Sequence, residues 1–473
     1  MLGIGLDFGT TNSTLAIFDG RTVSYIAIDD EDGYDVVMPT ANYMDRDYTA
    51  TVGTEALNNY LEFNQGRQII LEEVSLGTIR VTHGESNMLR GREDNGGDTT
   101  VALDVHAKVD KNMPGLLLRG LKRWLGMGSI ETIDIFGIKY NVEALITPIL
   151  AHIKRRLHRS IYKKPLSIHI GRPVQFEKDT IGGNRMAIEK LGKSVRYSGL
   201  PEPEFFPEPL GAAISFMADE KPCAGERLLA FDFGGGTLDL CVIKIESNGF
   251  SIQATHGIPI GGDHINQLIY ETKIFPELGK GLIVRTAHLD IVAEELFPFA
   301  KFEDGLLNWH QTHTLNHEDY LDKIDTALYS NRQDKKTIEK LTRLRELITW
   351  NYSYSVIKAI EQAKISLSEK DIALIEVPEL DLSVEITKPE FKQIIVSLLD
   401  KIDGAVDRIL EKSGLDEECV DHLISTGGSS LIPEVQRMLA NRFPGRVKAH
   451  SEFKGIAAGL AIANYHGYKY SCD

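Results

Sequence analysis

The sequence has few cysteines, no long apolar run and fewer basic than acidic residues. The four cysteines include no C-x-x-C pair, which argues against a zinc or redox site and is typical of a reducing compartment. No apolar run approaches the ~18–20 residues of a membrane span, and no signal peptide precedes the first strand-like run. Lys and Arg number 52 against 68 Asp and Glu, for a net charge of −16, which disfavours nucleic acid and anionic membranes. We therefore expect a cytoplasmic protein with no nucleic-acid or membrane partner.

Several common site motifs are absent or incomplete. Residues 192–194 (GKS) end like a P-loop, but Ala187 stands where the first glycine is required. His310, His313 and His317 have the spacing of metal ligands but lie in an ordinary surface context with no nearby Cys. No G-x-S-x-G or H-E-x-x-H motif occurs. These patterns therefore give no support to P-loop, serine-hydrolase or zinc-hydrolase chemistry.

Strand-like and helix-like runs alternate along the 473 residues, which predicts an α/β architecture. Because a single core stops growing near ~250–300 residues, two or more domains are expected. Apolar residues at steps of three or four from Ile338 to Ala363 predict one long helix with a buried stripe.

An internal repeat is the most informative feature of the chain. Residues 6–12 (LDFGTTN) align with residues 231–237 (FDFGGGT), almost half the chain further on. Each copy is an apolar strand, an Asp, a Gly-rich turn and a second apolar strand. The repeat predicts two lobes of related fold, each presenting one Asp-bearing turn to a shared cleft.

The residue types in these turns suit phosphate and Mg²⁺ binding. Glycine lets backbone N–H groups approach phosphate oxygens closely, and threonine hydroxyls add donors. Aspartate offers Mg²⁺ a hard oxygen ligand, usually through water. One copy alone would fit an ordinary β-hairpin. Two copies with Asp in register favour a nucleotide whose phosphates are held from both sides.

Three other polar segments are less specific. Residues 425–430 (STGGSS) lie between a strand and a helix, where a ligand can approach the helix N-terminus. Residues 261–263 (GGD) form a similar turn. Glu361, Lys364 and Ser368 share one helix face because they are three and four residues apart. Alone, each segment also fits an ordinary junction or a polar helix face.

Taken together, these motifs resemble the nucleotide-binding domain of the heat shock protein 70 (DnaK-type) chaperones, within the actin-like ATPase superfold. The matching segments, in family order, are the first phosphate motif at 5–13 (GLDFGTTNS), the segment of the catalytic lysine at 120–126 (GLKRWLG), the first connecting helix at 208–213 (EPLGAA), the second phosphate motif at 232–239 (DFGGGTLD), the adenosine motif at 427–429 (GGS) and the closing helix at 454–459 (KGIAAG). Details such as IGRP at 170–173 are most similar to the short, YegD-like bacterial branch.

The resemblance implies a two-lobed actin-like ATPase (ribonuclease H-like) fold with duplicated core subdomains and two outer subdomains. The implied boundaries are 1–222 for lobe I, with an outer subdomain at about 37–125, and 223–473 for lobe II, with a core at 223–265 and 420–473 and an outer subdomain at about 266–400.

The resemblance also implies ATP or ADP and Mg²⁺ as ligands. Asp7 and Asp232 would hold the hydrated metal ion, which makes Asp232 part of the catalytic set. Lys122 would orient the γ-phosphate and the attacking water. Glu208 and Asp239 would position that water or assist proton removal.

The nucleotide would lie along the glycine turns and one helix face. Thr10, Thr11 and Thr237 would contact the β- and γ-phosphates, and Glu361 and Lys364 the ribose. The complete implied set is Gly9, Thr10, Thr11, Asn12, Gly234, Gly235, Gly236, Thr237, Gly261, Gly262, Glu361, Lys364, Ile365, Ser368 (at the adenine), Gly427, Gly428, Ser429 and Leu431.

The sequence departs from the family pattern where the base would stack. The family usually holds adenine between two arginines, and the matching positions here are Ile365 and Leu431. Apolar contacts would replace cation–π stacking, which bears on nucleotide affinity and base selectivity. Phe453 stands where the closing motif has Asp, and residues 270–352 depart most from the family.

The function implied by the resemblance is a slow ATP-hydrolysing, chaperone-like switch whose lobes close on ATP and open after hydrolysis. No hydrophobic linker or substrate domain follows the closing helix, so we expect a nucleotide-binding domain alone, with a client or co-chaperone in trans. Two alternatives stay open: a nucleotide-sensing adaptor without significant turnover, and a small-molecule kinase of the same superfold. The retained acidic residues and Lys122 favour hydrolysis, whereas the replaced stacking positions favour the adaptor.

Overall fold

The computed structural model describes residues 2–29, 35–83, 99–161, 167–177, 182–247, 249–288, 291–449 and 454–470. The architecture is mixed α/β, which confirms the predicted class. Within these ranges, no helix combines the length and the apolar character that a membrane crossing demands.

The strands and helices alternate along most of the chain. The strands are β1 Gly3–Phe8, β2 Asn12–Phe18, β3 Val23–Ile26, β4 Val37–Pro39, β5 Ala41–Asp45, β6 Ala50–Val52, β7 Leu71–His83, β8 Thr99–Asp110, β9 Gly115–Arg119, β10 Ile133–Ile135, β11 Ile138–Tyr140, β12 Ser167–Arg172, β13 Glu202–Pro207, β14 Arg227–Phe233, β15 Leu238–Glu246, β16 Gly249–Ile258, β17 Ile283–His288, β18 Ile291–Leu296, β19 Ile372–Val377, β20 Leu382–Thr387, β21 His422–Thr426 and β22 Val447–Ala449. The α-helices are α1 Gly53–Asn64, α2 Leu121–Trp124, α3 Val142–Ser160, α4 Gly183–Ser198, α5 Glu208–Glu220, α6 Gly262–Ile269, α7 Ala300–Leu307, α8 Glu318–Ser330, α9 Lys335–Thr349, α10 Ser353–Glu369, α11 Lys388–Ile394, α12 Val396–Ser413, α13 Pro433–Arg442 and α14 Gly455–His466.

The first central sheet contains the first copy of the repeat. Its strand order is β13-β12-β1-β2-β3, with β4 paired to β2. β1 and β2 form an antiparallel hairpin in which Asp7 faces Thr14. β12 pairs in parallel with both β1 and β13. The Asp-bearing strand therefore has an antiparallel neighbour on one side and a parallel neighbour on the other.

The second central sheet repeats this arrangement. Its strand order is β16-β15-β14-β21-β22. β14 and β15 form an antiparallel hairpin in which Asp232 faces Asp239, and β14 pairs in parallel with β21. The two segments aligned by sequence thus have the same strand–turn–strand structure in the same sheet context. The lobe boundaries implied by the family resemblance stay a prediction.

Two helices rich in small residues connect the central sheets. α14 packs on β1, β2 and β12 and also on α5, which in turn packs on β14 and β15. A β-carbon at Gly459 of α14 would overlap the carbonyl oxygen of Gly211 of α5. Near the C-terminal end of α14, Asn464 Oδ1 accepts a hydrogen bond from Ile4 N of β1 at 2.9 Å. The small residues let the two helix backbones approach closely, so the sheets are held in a fixed relation.

Smaller elements complete the two halves of the chain. In the first half, α1 packs on the three-stranded sheet β6-β5-β9, and α3 packs on α4. In the second half, α8 packs on α9 and on β17, while α10 packs on the hairpin strand β19. The apolar faces of α9, α10 and α12 share one large core with the inner face of the second central sheet.

The single long helix predicted across 338–363 is wrong in its continuity. The chain instead forms α9 and α10, and Asn351 between them has a left-handed φ of 60°. The predicted stripe is otherwise correct, since Leu341, Leu344 and Val356 are all buried. Asparagine tolerates the left-handed region better than most residues. The apolar spacing hides the break because it continues at the same interval on both sides.

We expect Asn351→Ala to lower the free energy of unfolding by about 2–3 kcal/mol. The Asn351 amide donates to Tyr60 Oη and to Asn64 O, both at 3.1 Å, and alanine loses both bonds and adopts the positive φ at a cost. Asn351→Gly loses the same bonds but accepts the backbone conformation, so it should cost less. Chemical denaturation of both variants measures the difference. An equal loss in the two would contradict a backbone contribution.

Candidate functional site

The Gly-rich turns that follow β1 and β14 lie against each other. A β-carbon at Gly235 would overlap Thr11 Oγ1, and one at Gly236 would lie 3.4 Å from Thr10 Oγ1. Only a residue without a side chain fits at Gly235 in this arrangement. The structure therefore brings together the two turns that the sequence repeat predicted to face a shared site.

Two further predicted turns join this pair. Gly262 N donates to Gly234 O at 3.0 Å. Asp263 N donates to Gly235 O at 2.9 Å. From the turn after β21, Ser429 Oγ donates to Gly234 O at 2.8 Å. The second phosphate motif is thus in direct contact with both weaker turns, at 261–263 and 427–429.

Two buried aspartates, Asp232 and Asp239, face each other across the β14–β15 hairpin next to these turns. Asp232 Oδ1 accepts a hydrogen bond from Thr426 Oγ1 at 3.2 Å. Asp239, which is 1% exposed, accepts one from Val174 N at 2.7 Å. The second carboxylate oxygen of Asp239, Oδ2, is buried and has no hydrogen-bond partner among the described residues. This oxygen is free to accept a hydrogen bond from a water molecule or a ligand.

Lys122 reaches the same cluster from α2 and is 3% exposed. Its ammonium donates to Phe8 O at 2.5 Å, beside the first aspartate, and forms an ion pair with Glu208. Glu208 is the first residue of α5 and is also buried. Gly120, just before α2, has a left-handed φ of 67°, a conformation that glycine adopts without strain. Lys122 therefore links the first turn to α5.

The cluster combines four carboxyl groups, those of Asp7, Glu208, Asp232 and Asp239, with the single ammonium group of Lys122. Burial raises the pKa of Asp7 to about 8, with repulsion from Glu208 adding to the rise and Lys122 opposing it. Burial, and then repulsion from Glu208, raises the pKa of Asp239 to about 7. The pKa of Asp232 is raised for the same reasons. A cation bound here would favour the ionised carboxylates and therefore lower these pKa values.

The donor set fits hydrated Mg²⁺ better than a directly coordinated metal. Across the described part of the chain, no three His, Cys, Asp or Glu side chains come together as a metal site. Mg²⁺ gives up its water reluctantly and is commonly held by one or two carboxylates. Asp7 and Asp232 are the two carboxylates that would hold such an ion through bridging water.

The predicted ribose contacts lie next to the turn at 261–263. Lys364 Nζ donates to Asn266 Oδ1 at 2.9 Å and to Gly262 O at 3.3 Å. Asn266 Nδ2 in turn donates to Glu361 Oε1 at 3.4 Å. Burial lowers the pKa of Lys364. Glu361 and Lys364 are therefore held in place by a short polar network that ends at the glycine turns.

The predicted adenine contacts are less enclosed. Ile365 is 61% exposed and Ser368 is exposed, although both lie on α10 with the ribose pair. Leu431 is half-buried. Gly427 is closely enclosed, because a β-carbon there would lie 2.8 Å from Asp232 Oδ1. The structure thus brings the phosphate and ribose positions together and leaves the base positions open.

Two arginines that are not among the predicted site residues lie beside the site. Arg123 Nε donates to Glu177 Oε1 at 2.6 Å, and its Nη1 lies 3.6 Å from Asp263 Oδ2. Arg119 Nη1 donates to Tyr354 Oη at 3.0 Å. Arg123 directly follows the predicted catalytic lysine, which was a usable signal. Arg119 pairs with a residue more than 200 positions away, which no local pattern indicates.

Comparison with known proteins agrees with the family resemblance. The family described as Hsp70 protein matches residues 333–463. Chaperone protein DnaK of Thermus thermophilus is 24% identical over 473 residues, which cover 97% of this chain and 60% of that protein. Chaperone protein DnaK of Mycoplasmopsis pulmonis is 25% identical over 346 residues, or 71% of this chain and 46% of that protein. Heat shock cognate 70 kDa protein 3 of Dictyostelium discoideum is 23% identical over 478 residues, or 98% of this chain and 60% of that protein.

These similarities are broad but distant. The chain spans between 46% and 60% of the length of these curated relatives. None of them is described by the YegD-like name, so that finer assignment stays a prediction. Over nearly its whole length the chain is thus similar, at low identity, to DnaK and heat shock cognate 70 chaperones.

Proposed function

We propose that this chain binds ATP with Mg²⁺ and hydrolyses it slowly, as a chaperone-like switch on a two-lobed actin-like ATPase fold. The observation that carries the proposal is the convergence of Lys122 and its partner Glu208 with Asp7 and the buried Asp232, at two facing glycine turns. A cytoplasmic location, client or co-chaperone partners in trans and the YegD-like branch belong to the same proposal. Similarity to DnaK chaperones supports it.

Phosphoryl transfer requires mainly positioning and charge neutralisation. Backbone N–H groups of the glycine turns and the hydroxyls of Thr10 and Thr11 would bind the β- and γ-phosphates. Lys122 would place its ammonium at the transferred group. When bound through Asp7 and Asp232, Mg²⁺ would supply the remaining positive charge against the phosphate oxygens.

Asp239 is our candidate for the group that orients the attacking water and accepts its proton. Its Oδ2 is buried and unpartnered, and its pKa of about 7 lies near the value that suits a general base at neutral pH. Glu208, by contrast, is engaged by Lys122. We therefore assign Glu208 the role of positioning the lysine.

The test is single-turnover release of phosphate from Mg-ATP, with protein in excess and no added acceptor. Release by the full chain is the expected result. Tight ATP binding without release would favour the nucleotide-sensing adaptor instead. Transfer of the γ-phosphoryl group to an added small-molecule acceptor, without release of free phosphate, would favour the kinase. Absence of ATP binding would overturn the proposal.

ATP should stabilise the protein only in the presence of Mg²⁺. At an ATP concentration of roughly 100 times the dissociation constant, the expected gain in unfolding free energy is about 2.7 kcal/mol. EDTA should remove this gain, since no cation would then link the carboxylates of Asp7 and Asp232 to the phosphates. Thermal unfolding with Mg-ATP, ATP plus EDTA and AMP measures the difference. Equal stabilisation with and without Mg²⁺ would contradict the metal assignment.

Introducing the arginines that the family has at the two proposed adenine-stacking positions should raise ATP affinity. Ile365→Arg and Leu431→Arg would each supply a cation–π contact worth about 0.5–1 kcal/mol at an exposed site, or roughly 2–5-fold in affinity. The 61% exposure of Ile365 leaves space for the longer side chain. Calorimetric titration with Mg-ATP measures the gain. Ile365→Met is the uncharged control, and an equal gain in that variant would contradict a stacking effect.

A further inference from the structure

A cavity of about 550 Å³ opens beside the glycine turns. Thr10 and Thr11 line it on the side of the turns, and Trp309, which lies in the divergent segment at 270–352, lines another part of it. Residues 427–431 and Lys364 do not belong to its lining. The cavity therefore borders the proposed phosphate position and includes Glu361 of the proposed ribose pair, but the other proposed adenosine contacts lie outside its lining.

Most of the charged side chains that line this cavity are paired with one another, and the remaining one, Asp304, is an exposed carboxylate. Arg123 contacts Glu177, with Nε 2.6 Å from Oε1, and lies 3.6 Å from the carboxylate of Asp263. Arg119 lies 4.0 Å from the carboxylate of Glu361. Both arginines in the described lining are therefore already neutralised by carboxylates. This pairing favours an uncharged ligand over an anionic one.

The remaining lining combines exposed amides with aromatic rings. The side chains of Gln267, Asn308 and Gln311 are solvent-exposed at the cavity, so their amides are accessible to a ligand. Each amide offers both donors and an acceptor. Trp124 and Trp309 add large apolar surfaces to the same cavity. A molecule with several hydroxyls on an apolar carbon frame matches both kinds of surface.

The outer wall of the cavity, formed in part by residues 304–311, is held by contacts to distant parts of the chain. The ring of Trp309 packs edge-on against Tyr60 of α1, with centroids 5.4 Å apart. Asn351 holds the same tyrosine by the hydrogen bond described above. These residues form a fixed wall rather than a free loop. Residues 304–311 also belong to the segment at 270–352, which departs most from the family pattern in sequence.

We propose that this cavity binds an uncharged, hydroxyl-bearing small molecule of the sugar or polyol class. Ligand pockets typically have volumes of ~300–1,000 Å³, and the volume of this cavity, about 550 Å³, lies within that range. The amides of Asn308 and Gln311 would bind its hydroxyls, and the indole rings of Trp124 and Trp309 would cover its apolar face. The inference goes beyond the proposed function, because binding here requires neither nucleotide nor hydrolysis.

The test is isothermal titration calorimetry of the full chain, without nucleotide, using D-glucose, D-ribose, myo-inositol and glycerol as probes. At least one probe should bind saturably. The double variant Asn308→Ala/Gln311→Ala should weaken that binding at least about tenfold, since it removes two hydrogen-bonding groups worth about 1 kcal/mol each. Gln253→Ala is the matched control, because Gln253 is an exposed amide on β16 outside the cavity lining. Its affinity should equal that of the unmodified chain.

Three results would overturn the proposal. The first is the absence of saturable heat with all four probes. The second is a response that rises linearly with concentration and is equal in all variants, which is the general effect of excluded osmolytes. The third is loss of probe binding at saturating Mg-ATP, which would make the cavity part of the nucleotide site. Because the probe is titrated without ATP, failure of ATP hydrolysis would leave this proposal unaffected.

Discussion

Replacing Lys122 by alanine is expected to reduce single-turnover phosphate release from Mg-ATP by at least about 10²-fold. The Lys122 ammonium is buried, contacts the carbonyl of Phe8 and pairs with Glu208. A lysine or arginine at the solvent-exposed surface cannot take over the role of this buried ammonium group. The variant leaves Glu208 and the aspartates with uncompensated charge at the place where phosphate charge must be stabilised.

A second variant separates catalysis from folding. Lys122→Met keeps most of the aliphatic length of the side chain and should fold better than the alanine variant. Its rate of phosphate release should nevertheless fall as far as that of the alanine variant. Lys139→Ala, at an exposed lysine on β11, is the control for loss of a surface charge and should release phosphate at the normal rate. Thermal unfolding of each variant shows whether it is folded. Release within about threefold of normal in a folded Lys122→Met variant would contradict the assignment.

Asp232→Asn and Asp239→Asn should then affect different quantities. Asp232 is proposed to hold hydrated Mg²⁺, so its amide variant should lose both Mg-dependent ATP affinity and phosphate release. Asp239 is proposed to accept a proton from water, so its amide variant should bind Mg-ATP nearly normally and release phosphate slowly. The pair therefore distinguishes the two aspartates that face each other across one hairpin.

The glycine turns could be predicted from the sequence because their signal is local. An apolar strand, an Asp and a run of small residues lie within about seven positions, and the pattern occurs twice. The structure places Gly235 and Gly236 against Thr11 and Thr10, where side chains would not fit or would crowd the opposite turn. The same physical requirement therefore determines both the residue types and the close approach.

The break at Asn351 and the cavity wall could not be predicted in this way, because distant contacts determine both. The left-handed conformation of Asn351 is stabilised by its bonds to Tyr60 and to the carbonyl of Asn64, almost 300 residues earlier. Trp309 likewise packs on Tyr60. The spacing of apolar residues within 297–369 does not indicate these distant partners. The parts of the site that are built from local motifs are therefore predictable from the sequence, whereas the parts built from long-range packing are not.

Gly459→Ala is expected to destabilise the protein by about 3 kcal/mol or more, beyond the usual effect of a single added methyl group. The added β-carbon would overlap the carbonyl oxygen of Gly211 and lie 2.8 Å from the backbone nitrogen of Ser215. Both neighbours are backbone atoms of α5, so no side-chain rotation relieves the overlap. α14 and α5 must move apart.

The matched control is Gly404→Ala on α12, where a β-carbon would meet nothing within 4 Å. There, alanine should stabilise the helix by about 0.5–1 kcal/mol, so the two substitutions should change the unfolding free energy in opposite directions. α5 also begins with Glu208, the partner of Lys122. A displaced α5 should therefore slow phosphate release in folded Gly459→Ala, whereas Gly404→Ala should leave the rate unchanged. A change of less than about 1 kcal/mol in Gly459→Ala would show that the two helices can separate freely, and it would remove the link between their packing and the position of Lys122.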